Sequence, residues 1–400
     1  MYKVLTVIGT RPEAIKLAPV ILELKRRPTK FSSPVCSTGQ HRLMLDQVLT
    51  EFGIVPDYDL NLMTSGQSLA QITARALEGL NRVVAQENPD VVLVQGDTTT
   101  AFCGALAAFY QQKKVGHIEA GLRTENKFSP FPEEMNRRLV CALTDYHFAP
   151  THHARAALLS EKVPRSNIFI TGNTVIDALL WVRERTQWQI PDLPEGLVEQ
   201  VAHHQVILVT GHRRESFGEA FENICGAIRD IADSLPEALF IYPVHLNPNV
   251  QKPVNRILGG HARIKLIAPQ PYPSFVWLMD RASIVLTDSG GVQEEAPSLG
   301  KPVLVMRTAT ERPEGIAAGN ARLVGVTREG IAAELLHLLT HPAERTAMSS
   351  VRNPYGDGHA AERIIDVLAA HRPGAGKLKS LNSCDKWAGF ERHMNDAKVA

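Results

Sequence analysis

The sequence is poor in the features that mark secreted, metal-binding or membrane-spanning chains. Its 400 residues include five cysteines, with no Cys-x-x-Cys pair, so neither a disulfide framework nor a metal site is expected. Lysine plus arginine (43) almost equals aspartate plus glutamate (42), and no overall field would attract nucleic acid or a membrane. No run approaches the ~18–20 apolar residues of a membrane span, and the first strand leaves no room for a signal peptide. We expect a cytoplasmic protein.

The dinucleotide-binding fingerprint is also missing. The first apolar run, Tyr2–Ile8, leads into GTRPE at 9–13 instead of Gly-x-Gly-x-x-Gly, which argues against nicotinamide chemistry. Because Pro12 suits the first turn of a helix, Arg11 should lie at the strand-to-helix turn and Lys16 about one turn further on. Ligands bind at this edge of open α/β sheets, although an ordinary surface role would explain both side chains equally well.

What the chain does contain is a repeated alternation of strand and helix patterns. Its length is too great for one compact core, and crossovers of ordinary length predict parallel sheets. We predict an α/β fold with two doubly wound, Rossmann-like domains facing a cleft. The predicted limits are 1–188 for the first domain, 189–198 for a Pro-rich linker, 199–372 for the second domain, whose last helices could pack back on the first, and 373–400 for a peripheral tail.

One stretch of the second half has the pattern of a phosphate site. An apolar run ends at DSGG (288–291) and a helix pattern follows. Paired glycines let a ligand approach the backbone, and the first amides of a helix are unpaired donors. Glu294 and Glu295 fall one turn further on, where a carboxylate can take both ribose hydroxyls. Arg307 and Arg312 follow the next strand and suit phosphate oxygens. An ordinary strand–turn–helix would explain the glycines alone, but the combination predicts a nucleotide-sugar diphosphate pocket.

Three acidic residues of the first half are predicted at one sheet edge. Asp97 and Glu119 each follow a buried strand, and Glu133 opens the next helix. Asp97 could be only a helix cap, and Glu133 only a first-turn carboxylate favoured by the helix dipole. Three acids together repel unless one holds a proton or meets a cation, which is the arrangement that acid/base chemistry needs. In the second half, His212 follows a strand and precedes two arginines, a more specific pattern than an isolated histidine.

Six sequence blocks occur together and in order: GTRPE (9–13), QGDT (95–98), HIEAGLR (117–123), PEEMNR (132–137), GHRRE (211–215) and DSGGVQEEA (288–296). This set resembles the non-hydrolysing UDP-N-acetylglucosamine 2-epimerases of bacteria over about residues 2–370. The resemblance implies a glycosyltransferase-B fold, a homodimer, and interconversion of UDP-GlcNAc and UDP-ManNAc without a dissociable cofactor. It further implies a supply of ManNAc-type sugars for cell-surface polysaccharide.

The resemblance also implies residue roles, carried over by motif position. The chemistry would be lined by Asp97, Glu119, Glu133 and His212. The UDP-sugar would be surrounded by Arg11, Lys16, Gln270, Phe275, Ser289, Gly290, Gly291, Glu295 and Arg312. Within that set, Phe275 and Gln270 would contact the uracil and Glu295 the ribose. Positions that bind a second, activating UDP-GlcNAc in some members correspond to Arg213 and His245, and Gln40 and His41 are candidates for the same site.

Inversion at C2 of the sugar requires removal of a proton from a carbon with no adjacent carbonyl. As the C1–O bond to UDP stretches, positive charge on the ring acidifies this C2–H. Elimination then gives 2-acetamidoglucal, and UDP adds back as a proton reaches the other face. We expect two of the three acids to serve opposite faces, one as base and one as acid, with the assignment open. The alternatives are a glycosyltransferase on the same scaffold and a non-catalytic nucleotide-sugar sensor.

Overall fold

The computed structural model describes residues 1–39, 42–64, 66–186 and 193–372. Over these residues every strand pairing is parallel, and the strands form two separate sheets. The first sheet is built from Tyr2–Ile8 (β1), Phe31–Ser32 (β2), Val35–Ser37 (β3), Tyr58–Asp59 (β4), Val91–Gln95 (β5), Lys114–Ile118 (β6), Tyr146–Ala149 (β7) and Ile168–Ile170 (β8). Its order is β4-β3-β1-β5-β6-β7-β8, with β2 also paired to β1.

The second sheet repeats this plan in the second half of the chain. It is built from Gln205–Thr210 (β9), Ala238–Pro243 (β10), Ile264–Ile267 (β11), Ile284–Thr287 (β12), Val303–Val305 (β13) and Ala321–Leu323 (β14). Its order is β11-β10-β9-β12-β13-β14. In both sheets the order reverses beside the first strand of the half, because the chain returns to pair on the other side of β1 and of β9. The predicted doubly wound α/β architecture is therefore confirmed.

Helices connect the strands. Those of the first half are Arg11–Lys25 (α1), Arg42–Glu51 (α2), Leu69–Glu87 (α3), Thr99–Tyr110 (α4), Glu133–Leu143 (α5), His152–Ser160 (α6) and Thr174–Thr186 (α7). Those of the second half are Leu197–His203 (α8), Glu219–Ser234 (α9), Pro248–Leu258 (α10), Tyr272–Arg281 (α11), Gly290–Glu295 (α12), Pro313–Ala318 (α13), Arg328–Thr340 (α14), Pro342–Ser349 (α15) and Ala360–Ala370 (α16). No helix in the described ranges has both the length and the apolar character to cross a membrane.

The central strands are largely buried on both faces, which explains their mainly apolar sequences. In β1, Val4 packs into one core cluster and Leu5 into another. In β5, Leu93 and Val92 are divided between the same two clusters. Successive side chains of a strand point to opposite faces, so a sheet covered by helices on both sides needs apolar residues at every position. The apolar runs in the sequence therefore reflect this two-sided burial.

The two halves meet through helices. In the first half, α7 packs against α11 and α12 of the second, and α16 returns to pack against α1 and α7. Asp177 of α7 accepts hydrogen bonds from the backbone N–H groups of Ala360 (3.2 Å) and Ala361 (2.8 Å) at the start of α16. Residues 187 and 188 at the end of the predicted first domain, 189–192 of the predicted linker and the tail from 373 lie outside the described residues. The domain limits stay a prediction.

The phosphate-site stretch differs locally from its prediction. We expected Gly290 and Gly291 to form a turn before a longer helix, but they are the first two residues of α12, which has only six residues. A tighter 3₁₀ turn over Ala296–Leu299 follows. Pro297 lacks a backbone N–H and cannot continue the i to i−4 hydrogen bonds of an α-helix. This proline explains why α12 is short.

Candidate active site

The carboxyl ends of parallel strands bring the predicted residues of each half to one edge. In the first sheet, β1, β5 and β6 are neighbours, and Arg11, Asp97 and Glu119 follow them. In the second sheet, β9 and β12 are neighbours, and His212 and Ser289 follow them. The contacts between the two halves bring these two edges together.

Glu119 is the most enclosed of the three predicted acids, with 8% of its surface exposed. Lys16 Nζ lies 2.6 Å and 2.7 Å from its two carboxylate oxygens. Gln95 Nε2 and Asn173 Nδ2 also donate to this carboxylate, the latter over 3.1 Å. Burial would raise the pKa of Glu119, but Lys16 and Arg312 outweigh it and lower the pKa overall. Its backbone has φ of 67°, a conformation rare outside glycine and often found at functional sites.

Asp97 also meets a cation. Arg137 Nη2 forms an ion pair with Asp97 Oδ2, and Asn136 Nδ2 donates to the Asp97 carbonyl over 2.9 Å. Thr98 Oγ1 accepts the N–H of Ala101 and caps α4. The helix cap is therefore Thr98, and the Asp97 side chain has a different partner. Of the two ways to relieve repulsion among the acids, the structure uses neighbouring cations for Asp97 and Glu119.

Glu133 is the first residue of α5, the helix that also carries Asn136 and Arg137. Its side chain is partly exposed, whereas that of Glu134 is buried. Glu134 contacts Arg137 at 3.3 Å and Arg138 at 3.0 Å. Of this pair of acids, Glu134 is committed to ion pairs within its own helix, and Glu133 is the one that reaches solvent.

His212 stands at the end of β9 beside a buried aspartate. Asp288 is fully buried, and its Oδ2 accepts the backbone N–H groups of His212 (2.7 Å) and Arg213 (2.8 Å). The His212 ring is stacked on that of His245, with centroids 5.3 Å apart and planes 13° apart. Burial lowers the pKa of His212, and His245 and Arg213 add to this effect against the opposing charge of Asp288.

Three arginines of the second half converge on one carboxylate. Glu311 accepts from Arg213 over 3.0 Å and from Arg312 over 3.1 Å, and Arg307 Nη1 contacts its other oxygen. Burial would raise the pKa of Glu311, but the arginines lower it to about 2. A Cβ atom built on Gly290 would lie 3.1 Å from Glu311 Oε1. This glycine therefore permits the close approach of the Glu311 carboxylate, which was absent from the sequence-based prediction.

The residues expected around the nucleoside lie on and beside α11 and α12. Tyr272 Oη donates to Glu295 Oε1 over 2.6 Å. Burial raises the pKa of Glu295 to about 7. Arg11 of the first half is close enough for its charge to act on Glu295. Phe275 is partly buried in α11, and Gln270 is partly exposed just before it, where its Nε2 donates to the carbonyl of Ala268.

One hydrogen-bonded chain joins the two edges. Asn173 Nδ2 donates to Glu119 Oε1 over 3.1 Å and to Glu294 Oε2 over 2.6 Å. Arg312 Nε donates to Glu294 Oε1 over 2.8 Å. Sequence analysis missed Asn173, although it follows β8 at the same edge of the sheet as Glu119. The contact of Glu294 with Asn173 of the first half was likewise not predicted from the sequence.

The candidates for a second nucleotide-sugar site have a mixed outcome. The structure brings Arg213 and His245 against His212, so these two lie beside the predicted catalytic histidine. Gln40 and His41 lie outside the described residues. No group of three or more His, Cys, Asp and Glu side chains within the described ranges is arranged to hold a metal ion.

Two parallel-sheet α/β units whose carboxyl edges face each other across a charged junction define the glycosyltransferase-B class of folds. The model of the UDP-N-acetylglucosamine 2-epimerase family matches residues 22–369. The chain belongs to this family.

Individual relatives agree with this assignment. The UDP-N-acetylglucosamine 2-epimerase of Salmonella typhimurium is 57% identical over 374 residues, which cover 92% of this chain and 99% of that protein. The Neisseria meningitidis UDP-GlcNAc 2-epimerase, solved bound to UDP-GlcNAc, is 50% identical with a TM-score of 0.84, over 92% of this chain and 99% of that one. Staphylococcus aureus MnaA, solved with UDP, is 44% identical with a TM-score of 0.83, over 92% and 96%.

Proposed function

We propose that the protein is a non-hydrolysing UDP-GlcNAc 2-epimerase that interconverts UDP-GlcNAc and UDP-ManNAc. The observation that carries this proposal is the charge distribution at the junction. Glu119 and Asp97 of the first half, paired with Lys16 and Arg137, face a second half rich in arginine. A reaction that removes a ring proton and releases a diphosphate needs a base on one side and cationic donors on the other.

The second half binds the nucleotide in this proposal. The diphosphate lies beside Ser289, Gly290 and Gly291, where the backbone can be approached closely. Arg312 and His212 supply donors to its oxygens, Arg11 reaches it from the first half, and Glu295 accepts hydrogen bonds from the ribose. On the strength of the family resemblance, Phe275 and Gln270 contact the uracil.

The first half performs the proton transfers. A carboxylate among Asp97, Glu119 and Glu133 takes the C2 proton while the C1–O bond breaks and UDP leaves with the electron pair. A second carboxylate delivers a proton to the opposite face of C2 as UDP re-forms the C1–O bond. Lys16 holds Glu119 in its ionised form, which suits a base or an electrostatic partner of the positive ring. Which acid serves which face stays open.

Magnitudes show why one binding element would be insufficient. A millionfold acceleration requires about 8 kcal/mol of transition-state stabilisation. A hydrogen bond to a charged group contributes about 1.5–3 kcal/mol, so several must act together on the leaving diphosphate. Arg11, Lys16, His212 and Arg312 supply such donors from both halves. The arrangement therefore requires the two edges to act as one site.

The experiment that tests the proposal is incubation with UDP-GlcNAc alone in D₂O, followed by NMR. We expect UDP-ManNAc to form and deuterium to appear at C2 of both sugars. Epimerisation without deuterium at C2 would exclude the elimination route. Release of UDP that depends on an added acceptor would indicate a glycosyltransferase, and binding without turnover would indicate a sensor.

We further propose that the protein is a cytoplasmic homodimer that provides ManNAc-type sugars for cell-surface polysaccharide, with domains at 1–188 and 199–372. An exposed apolar surface on two neighbouring helices supports the dimer: Phe109 and Tyr110 end α4 (57% and 60% exposed), and Met135 and Leu139 lie on α5 (38% and 43%). Apolar patches of this kind mark protein interfaces. Light scattering should give twice the chain mass, and Leu139→Glu should shift it towards the monomer.

A further inference from the structure

Asp288 contains a buried carboxylate oxygen without a hydrogen-bond donor. Its Oδ2 accepts two backbone N–H groups, whereas its Oδ1 has no hydrogen-bond partner in the described part of the chain. His212 Nδ1 lies 3.5 Å from this Oδ1. Asp288 is fully buried, while 43% of the His212 side chain is exposed. The imidazole therefore has one nitrogen facing a buried carboxylate and the rest of its ring towards the junction.

The physical cost of the unpaired oxygen favours one state of the histidine. Leaving a buried acceptor without a donor costs about 1–3 kcal/mol. A proton on Nδ1 of His212 would supply the donor after a movement of a few tenths of an ångström. The hydrogen bond made by one ring nitrogen determines the protonation of the other. A proton on Nδ1 leaves Nε2 free to accept a proton and, once protonated, to donate to an anion.

We propose that Asp288 is a positioning residue that keeps the Nδ1–H tautomer of His212, so that Nε2 faces the leaving diphosphate. The proposal rests on the proposed function. When the negatively charged diphosphate approaches, it favours the imidazolium, whose Nε2–H donates to a phosphoryl oxygen while Nδ1–H remains on Asp288. No covalent bond to the histidine forms, and UDP still leaves with the electron pair of the C1–O bond.

The other charged neighbours of His212 make this control necessary. His245 stacks on the ring and Arg213 follows it in the chain, and both disfavour the imidazolium. Asp288 is the neighbour that favours it. Without Asp288, His212 would face only groups that oppose its protonation. No neighbour would then determine which ring nitrogen carries the proton.

The variant Asp288→Asn separates this role from a purely structural one. The amide oxygen can still accept the N–H groups of His212 and Arg213, but the amide nitrogen then faces Nδ1 and favours the opposite tautomer. We expect kcat to fall about 10²-fold or more, as for the loss of a preorganised donor to the charge that develops on the leaving group. The thermal midpoint should stay near the parent value, and the pH profile of kcat should shift.

Two measurements keep the test decisive. In a His212→Gln background, Asp288→Asn should cause little further loss, because the two residues act through one another; independent, multiplicative losses would overturn the proposal. Direct ¹⁵N NMR of His212 in the unmodified protein should show the Nδ1–H tautomer, even if the variant does not fold. Finding Nε2–H there would overturn the proposal, whereas failure of the epimerase assay alone would reject only the proposed function.

A second inference concerns Glu311 and is carried by different contacts. Its carboxylate binds Arg213, Arg307 and Arg312 at once, beside the Cα of Gly290. A phosphoryl group presents the same kind of charged oxygens to arginine. We infer that these arginines form an anion site and that Glu311 is an internal competitor, which a phosphoryl group must displace to bind them.

Glu311→Gln tests this competition with pyrophosphate and UDP as probes. Loss of the competing charge should lower the Kd of both by about tenfold, equivalent to ~1.4 kcal/mol. Glu215→Gln is the matched control, since Glu215 contacts Arg307 over 2.7 Å but is exposed; its Kd values should match the parent protein. Glu311→Asp, which keeps the charge but shortens the side chain, serves if the glutamine variant is unstable and should also tighten binding. Unchanged or weaker binding would show that Glu311 instead orders the arginines.

Discussion

The two edges that meet at the junction neutralise their charges in opposite ways. In the first half Glu119 pairs with Lys16, and Asp97 pairs with Arg137. In the second half one acid, Glu311, is shared among three arginines. The first edge therefore presents separate carboxylates, which suits proton transfer. The second gathers several arginines in one place, which suits a diphosphate.

This difference teaches that chemistry and binding should be separable by substitution, although the two edges touch. A change at the first edge should reduce turnover and spare the nucleotide. A change at a residue that joins the two edges should weaken substrate binding more than it reduces turnover.

Asp97→Asn should have the largest effect. The amide keeps the size of the side chain but cannot take or deliver the C2 proton, so kcat should fall by about 10²–10⁴-fold, as for loss of a general acid or base. UDP affinity, measured by calorimetry, should remain within about twofold, because the nucleotide binds the second half. A parallel loss of UDP affinity would break the division between the two edges.

The buried acids Glu13 and Glu295 offer a matched pH comparison, since burial raises the pKa of each to about 7. A raised folded pKa stabilises the protein fully below the unfolded value, near 4.5, and this stability is lost as the pH rises through 7. For a shift of this size the contribution is about 3 kcal/mol. Glu13 accepts N–H groups of its own loop, from Gly9 and Thr10. Glu295 is the one proposed to meet ligand.

Glu13→Gln should therefore flatten the dependence of unfolding free energy on pH between about 4.5 and 7. Denaturation at several pH values measures this effect. In the Glu13→Gln variant, saturating UDP should change the pH dependence of the unfolding free energy that is left, because Glu295 would then bind the ribose. If UDP changed the pH dependence of the unfolding free energy in the parent protein but not in the Glu13→Gln variant, the assignment of Glu295 to the nucleotide would be wrong.

Asn173→Ala should have the smallest of the three effects. It removes the amide that bridges Glu119 and Glu294, at a cost of about 1–3 kcal/mol for the acceptors left behind. The thermal midpoint should fall by a few degrees, and KM should rise more than kcat falls, because the edges lose a shared donor. Asn173→Gln is the control, since it retains the amide on a longer stem and should recover part of the loss. An unchanged KM in both variants would show that the bridge does not align the edges.

Local sequence determined much of this protein. Uninterrupted apolar runs predicted the strands because parallel strands are buried on both faces, and residues at strand ends were predicted to share an edge because parallel strands end together. This logic placed Asp97 and Glu119 at one edge, and the structure shows that the same rule brings His212 and Ser289 to one edge of the second sheet. Separately, six sequence blocks resembled those of the family to which the chain belongs.

Only the tertiary structure decided the partners of these residues. Lys16 and Glu119 are separated by 103 positions, and Asn173 and Glu294 by 121, so no local periodicity relates them. The Asn173–Glu294 contact depends on how α7 packs against α11 and α12, whereas Lys16 reaches Glu119 because α1 packs near the end of β6. The position of a charge at a sheet edge follows from the strand that precedes it, whereas its counter-charge comes from whichever distant element packs there. The sequence thus determined where the acids and the glycine pair stand, and the packing of the two halves decided which cation or amide holds each of them.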